Sequence, residues 1–256
     1  MTTSPPSRRT VLSRAAVIAA ATAAASLPGT QLVSGSAHAA NQDLFTEEIR
    51  RAVGRAKARN KRVLVGATSR NGWDVERVAD QDGTIFTRPV PGVPLAGVQI
   101  RLGDPEEVLT HIIQRFHYEI DELRTGDVIG WHAPHRVRRN RPESNLASGT
   151  AVRIRPASYP VGVRGGLFPQ QVAVVRDILA ELEGVARWGG DDRTPDESLF
   201  SLAAGPGDPS LTAVADRIRA WRATPGRGAG TVVDIYAPER LRAARALESR
   251  QRRSGG

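Results

Sequence analysis

The side chains here that suit acid–base or metal chemistry are histidines, carboxylates and arginines. The chain has no cysteine, which removes thiol nucleophiles and cysteine-bound metals. His132 and His135, in Trp131-His132-Ala133-Pro134-His135, have a spacing that suits a metal ion. The arginines that follow them, Arg136, Arg138, Arg139 and Arg141, act against a bound cation by like charge. His111 and His117 stand six positions apart on an expected helix and so face different directions, whereas helical ligand pairs sit three or four positions apart.

The elements that must position these residues follow from periodicity and turn chemistry. Phe45, Ile49, Val53 and Ala56 recur at helical spacing between Gln42 and Arg59, among Arg50, Arg51, Arg55, Lys57 and Arg59. This pattern predicts a basic amphipathic helix, packed on the domain with its charged face in water, with a wall- or membrane-binding helix as the alternative. Short strands are expected at Val63-Leu64-Val65, Thr84 to Thr87 and Val98 to Arg101, separated by Asn71-Gly72, Asp82-Gly83 and prolines. Asp104-Pro105-Glu106-Glu107 predicts a helix from Pro105 to about Leu123 with Asp104 as its cap, and Leu109, Ile112, Ile113, Phe116 and Ile120 on one face. A strand at Thr150 to Ile154, a helix from Pro169 to about Leu182 and strands at Val185 to Trp188 and Leu199 to Leu202 come next. Asp208-Pro209 opens a helix with the stripe Leu211, Val214, Ile218 and Trp221. Pro225 to Gly230 is expected as a linker, Thr231 to Tyr236 as a strand, and Pro238 onward as a basic helix.

The first 39 residues hold Arg8, Arg9 and Arg14 and no acid, then an apolar run from Ala15 to Leu27, then Ala37-His38-Ala39. That is the anatomy of a signal peptide cleaved after Ala39, and Ser7-Arg8-Arg9-Thr10-Val11-Leu12 resembles the twin-arginine export motif. The apolar run falls short of the roughly 20 residues that span a bilayer, so no stable membrane span is expected after cleavage. The expected location is extracytoplasmic, secreted or associated with the cell envelope. Losing three arginines lowers the formal charge from +9 to +6. All basic residues except Lys57 and Lys61 are arginines, spread along the chain without a zinc finger, an RNP-type motif or a basic region with heptads, so no nucleic-acid partner is expected.

An ordered set of motifs then appears: Ser144-Asn145-Leu146-Ala147-Ser148-Gly149-Thr150-Ala151-Val152-Arg153, then Pro160 and Gly162, then Arg187-Trp188-Gly189-Gly190-Asp191, then Pro195-Asp196-Glu197-Ser198-Leu199-Phe200. The set resembles the D-alanyl-D-alanine carboxypeptidase family of zinc peptidases, whose pattern reads approximately S-x-H-x-x-G-x-A-x-D, W-G-G and D-x-x-H-F. With Asn71-Gly72-Trp73 and Phe116-His117, the similarity runs from about Ser69 to Trp221. The resemblance implies an α+β chain of the hedgehog/DD-peptidase fold, a small antiparallel sheet flanked by helices. Its expected divisions are a signal at 1–39, a basic helix and lead-in strand at 40–66, the carboxypeptidase-like domain at 67–223, and a linker, strand and basic helix at 224–256.

The family's zinc is held by two histidines and an aspartate, and alignment of the motifs puts Leu146, Arg153 and Leu199 at those places. None of the three donates to zinc, so no zinc or other cofactor is expected and no metal-bound water is activated. Asp196 matches the family's general acid/base, idle here for want of that water. Arg136 matches an arginine that the family sets beside the substrate, and Ser144 opens the first motif. Arg153, Arg136 and Ser144 are the expected binding residues, and Arg153 is expected to direct its guanidinium towards Asp196 or a ligand carboxylate. Leu146 and Leu199 are expected to pack as an apolar plug where zinc would sit. Three functions follow as expectations: a peptidoglycan relative that binds a wall peptide or an envelope protein without hydrolysis; an active metallopeptidase that recruits His132, His135 and Asp196; or a structural envelope protein with a closed cleft.

Overall fold

Alternation of side chains on four short strands decides which face of the central sheet is core and which is site. The computed structural model describes residues 34–254, with side chains from Thr46 onward. Most of the expected export signal, including its arginines, lies outside the described residues. The chain divides into two units, Met1–Ala52 and Val53–Gly256. The segment from 224 onward, expected as a linker, strand and basic helix, falls within the second unit.

The sheet is built from β5 (Val128–Ile129), β6 (Ala151–Ile154), β7 (Ala186–Trp188) and β8 (Leu199–Leu202), in the order β5-β6-β8-β7 and antiparallel throughout. Residues directly opposite one another in such a ladder share a face. Val152, Phe200 and Trp188 therefore point one way with Ile154, Leu202 and Ala186, and all six belong to the main core. Ile129, Arg153 and Leu199 point the other way, as do Ala151, Ser201 and Arg187.

Helices cover the core face. α2 (Asp104–Glu119) contributes Leu109, Ile112, Ile113 and Phe116, all fully buried. The Phe116 ring meets Phe200 edge-on at 6.2 Å between centroids. α3 (Pro169–Glu181) and α4 (Pro209–Arg222) add Val175, Ile178, Leu211, Val214 and Ile218 to the same cluster. α5 (Pro238–Ser254) packs against α3, burying Ala244 and Leu247, and its Gln251 amide donates to the Ala186 carbonyl at the sheet edge. Two hairpins complete the unit: β1 (Leu64–Thr68) with β2 (Asp74–Glu76), and β3 (Ile85–Arg88) with β4 (Val98–Arg101).

Four expectations need correction. α1 spans Ser34–Val63, longer than Gln42 to Arg59, and its residues 48–62 are all exposed, the stripe of Ile49, Val53 and Ala56 included. Seven basic side chains and no acid between Arg50 and Arg62 leave only that narrow apolar stripe, too little surface to drive docking. α2 starts one residue early: Gly103 is the capping position, while the Asp104 carboxylate is bound by Arg219 and Thr212, each at 2.7 Å. α2 also stops at Glu119, because the His117 imidazole accepts from the Leu123 amide and turns the chain away. Thr231 to Tyr236 forms turns and no strand. No neighbouring edge pairs with it, Val232 is 99% exposed, and the Asp234 carboxylate captures the Tyr236 amide in a local turn.

Candidate functional site

The face of the sheet turned away from the core carries Arg153 and Leu199 side by side on β6 and β8. Above them lies a one-turn 3-10 helix, Pro142–Leu146, which buries Leu146 completely. Leu146, Ala151 and Leu199 form a small apolar cluster of their own, flanked by Val137 and separate from the main core. This is the plug expected between the two leucines.

Asp196 arrives from the other side, on the segment that follows a second 3-10 turn, Gly189–Asp191. Its amide donates to the Gly189 carbonyl at 2.9 Å. A Cβ on Gly189 would stand 2.6 Å from the Asp196 carbonyl oxygen and 3.1 Å from Leu199 Cβ, so any larger residue would push these two apart. Trp188 fixes the same segment by donating its indole N–H to the Glu197 carbonyl at 2.8 Å.

Arg153 closes on Asp196, with Nε and Nη2 donating to Oδ2 at 3.1 and 2.8 Å. Asp196 Oδ1 accepts from the Ser198 hydroxyl at 2.5 Å. The guanidinium side chain is 20% exposed and the carboxylate 7%. The expected contact between these residues is therefore present, inside the domain and at the floor of a cleft.

That cleft is a cavity of about 300 Å3 lined by Arg153, Asp196 and Leu199 below, and by Arg70, Arg138, Arg141, Glu143, Asp192 and Arg193 around them. It adjoins a second cavity of about 190 Å3 that shares Arg70, Pro142 and Asp192 and adds Arg187. Most of its carboxylates are neutralised: Glu143 by Arg138 at 2.7 Å and Asp196 by Arg153, while Arg187 lies 3.7 Å from Asp192. Burial raises the Asp192 carboxyl above the usual aspartate range; Arg187 and Arg70 oppose this, and Asp191 and Asp196 add to it.

The remaining expected residues take different places. Ser144 is buried, and its hydroxyl accepts from the Arg70 amide at 3.0 Å. It holds the Arg70 backbone and is not among the residues that line the cavity. Arg136 is exposed on a short turn, Pro134–Arg136, outside the lining of either cavity. Its charge is felt at His132, whose pKa is lowered by burial first and then by Arg153 and Arg136. His135 is exposed. His111 is committed elsewhere, bonded to Glu181 at 2.9 Å.

Arg70, Arg141 and Arg193 are cleft residues that the motifs did not single out. Arg70 is held there by its neighbour Asn71. The Asn71 amide nitrogen donates to Thr150 Oγ1 and the Leu202 carbonyl, its carbonyl oxygen accepts from Ser69, and its backbone N–H donates to Asn145 Oδ1. Its place between Ser69 and Trp73, in the stretch where the similarity begins, was the signal available.

The zinc that the resemblance implies does not fit these residues. The three matched positions offer two alkyl groups and a guanidinium already bound to Asp196, and among the described residues no three His, Cys, Asp or Glu side chains gather as a ligand set. Arg153 and Asp196 both line the cavity, with the guanidinium donors directed to Asp196 Oδ2. No described helix is long and apolar enough to cross a membrane. No protein-family model, no curated protein and no solved structure matches the chain, so the α+β class, with its small antiparallel sheets, stands on the strand register itself.

Proposed function

We propose that the chain is an exported, non-hydrolytic relative of the peptidoglycan-cleaving D-alanyl-D-alanine carboxypeptidases, and that its cleft holds the carboxylate end of a cell-wall peptide on Arg153. The observation that carries this is the Arg153–Asp196 fork at the floor of an arginine-lined cavity, where the resemblance would put zinc. A ligand carboxylate can exchange with Asp196 for the guanidinium, because Nε and Nη2 both donate to the single oxygen Oδ2, whose place a ligand carboxylate oxygen can take. Leu199, beside Arg153, supplies an apolar wall for small side chains next to that terminus. In this reading Asp196 serves as the counter-charge of Arg153 and not as an acid or base.

The cavity above Leu199 also argues against a purely structural role with a closed cleft. Calorimetric titration of the mature protein with N-acetyl-D-alanyl-D-alanine tests the proposal. Saturable binding that is lost in Arg153→Ala is expected; equal affinities, or no binding by either protein, would overturn it.

A further inference from the structure

The charges around the cleft do not balance once Arg153 is satisfied. Arg141 and Arg193 have no ion-pair partner among the described residues, and Arg70 has no carboxylate in direct contact. Asp192, also in the lining, already faces Arg187 at 3.7 Å. Three arginines from three separate segments of the chain thus line one cavity, and of these Arg70 is offset in part by the charge of Asp192. The Arg70 backbone is held in place, with its amide tied to Ser144 and its neighbour Asn71 tied to the sheet. Such a cluster is an anion site, separate from the fork on the floor, where Asp196 already occupies the guanidinium.

We infer that the ligand of this cleft carries two acidic groups, one for Arg153 at the floor and a second for Arg70, Arg141 and Arg193 at the mouth. This rests on the proposal that a peptide carboxylate binds Arg153, and it narrows the ligand to peptides with an acidic side chain near the free carboxyl end. A peptide with one charge fills only the floor site. Rim charges of this kind act through solvent and are screened by salt, so the second group adds selectivity at low ionic strength.

The test compares isosteric N-acetyl tripeptides that end in D-alanine and carry Glu or Gln at the first or the second position, titrated into wild type, Arg141→Gln/Arg193→Gln and Arg153→Ala. Arg141 and Arg193 are exposed, so the double variant keeps its fold, which a thermal melt verifies. At low salt the Glu peptide should bind wild type about tenfold more tightly than its Gln twin in at least one position, with the preference lost in the double variant. Arg153→Ala should weaken both twins alike and keep whatever preference remains. Equal affinity of the twins for wild type at both positions would overturn the second subsite while leaving the Arg153 site standing. Failure of every peptide to bind would overturn the Arg153 site, and the second subsite with it.

Discussion

Replacing Asp196 by Asn should make the protein less stable and yet a better binder, a pairing of signs that an acid/base catalyst would not give. Asn keeps the shape of the side chain and an oxygen for the Ser198 hydroxyl, so the change is confined to the charge that Arg153 now grips. With the two side chains 20% and 7% exposed, the pair lies between exposed ion pairs, worth about 0–1 kcal/mol, and fully buried ones, whose disruption costs about 3–5 kcal/mol. A loss of about 2 kcal/mol follows, or a drop of about 4–8 °C in melting temperature for a domain of this size. Binding should move the other way. A ligand carboxylate on Arg153 would lie roughly 5–8 Å from that of Asp196, and Coulomb's law at an effective dielectric of about 20 puts their repulsion near 2–3 kcal/mol. Screening at the open cleft reduces this, leaving a gain of about tenfold in affinity for N-acetyl-D-alanyl-D-alanine. Differential scanning calorimetry and titration calorimetry read the two effects. Unchanged stability together with unchanged or weaker binding would refute the account of Asp196 as a competitor for the guanidinium.

Other outcomes follow from the same geometry. Leu146→Ala should cost about 2–5 kcal/mol in chemical denaturation, because Leu146 is fully buried in a small cluster that cannot collapse to fill the space. A cost below about 1 kcal/mol would contradict a packed plug. Affinity for a carboxylate peptide should rise as pH falls from 7 towards the aspartate range: Asp192, held above that range by burial, loses its negative charge at a higher pH than an ordinary aspartate, and any protonation of His132 acts in the same direction. A flat profile in titrations across this range would count against Asp192 as part of the lining. Acid should unfold the domain through Glu181. Burial alone would raise its pKa, but the His111 hydrogen bond and the Arg115 charge outweigh it and hold the group at about 2. A depressed carboxyl stabilises the fold above its unfolded value of 4.5, and that contribution drains away as pH falls towards about 2. Glu181→Gln should remove part of that acid dependence in equilibrium melts, and an unaltered pH profile would contradict the assignment.

Strands β6 and β8 and the helices could be read from the chain because their apolar residues alternate or recur on one face, as in Val152, Ile154, Phe200 and Leu202. β2 and β5, three and two residues long, have no period to detect, and their pairing is decided by distant partners such as Leu64 and Ile154. The error at Thr231 to Tyr236 has a related cause: β-branched residues favour a strand only where an edge exists to receive them. At the site, the ordered motifs were enough to bring Leu146, Arg153, Asp196 and Leu199 together in expectation, and the structure places them so. Arg70, Arg141 and Arg193 stayed hidden because their convergence depends on the Asn71 hydrogen bonds and on two turns, none of which leaves a local pattern.

Hydrolysis and binding can be separated in a single experiment: the proton NMR spectrum of N-acetyl-D-alanyl-D-alanine followed over a day with the purified protein and added zinc. Broadened and shifted peptide methyl resonances, with no signal from free D-alanine, are the predicted result. Chelator-sensitive release of D-alanine would contradict a non-hydrolytic binding cleft, and an unperturbed spectrum would contradict binding altogether.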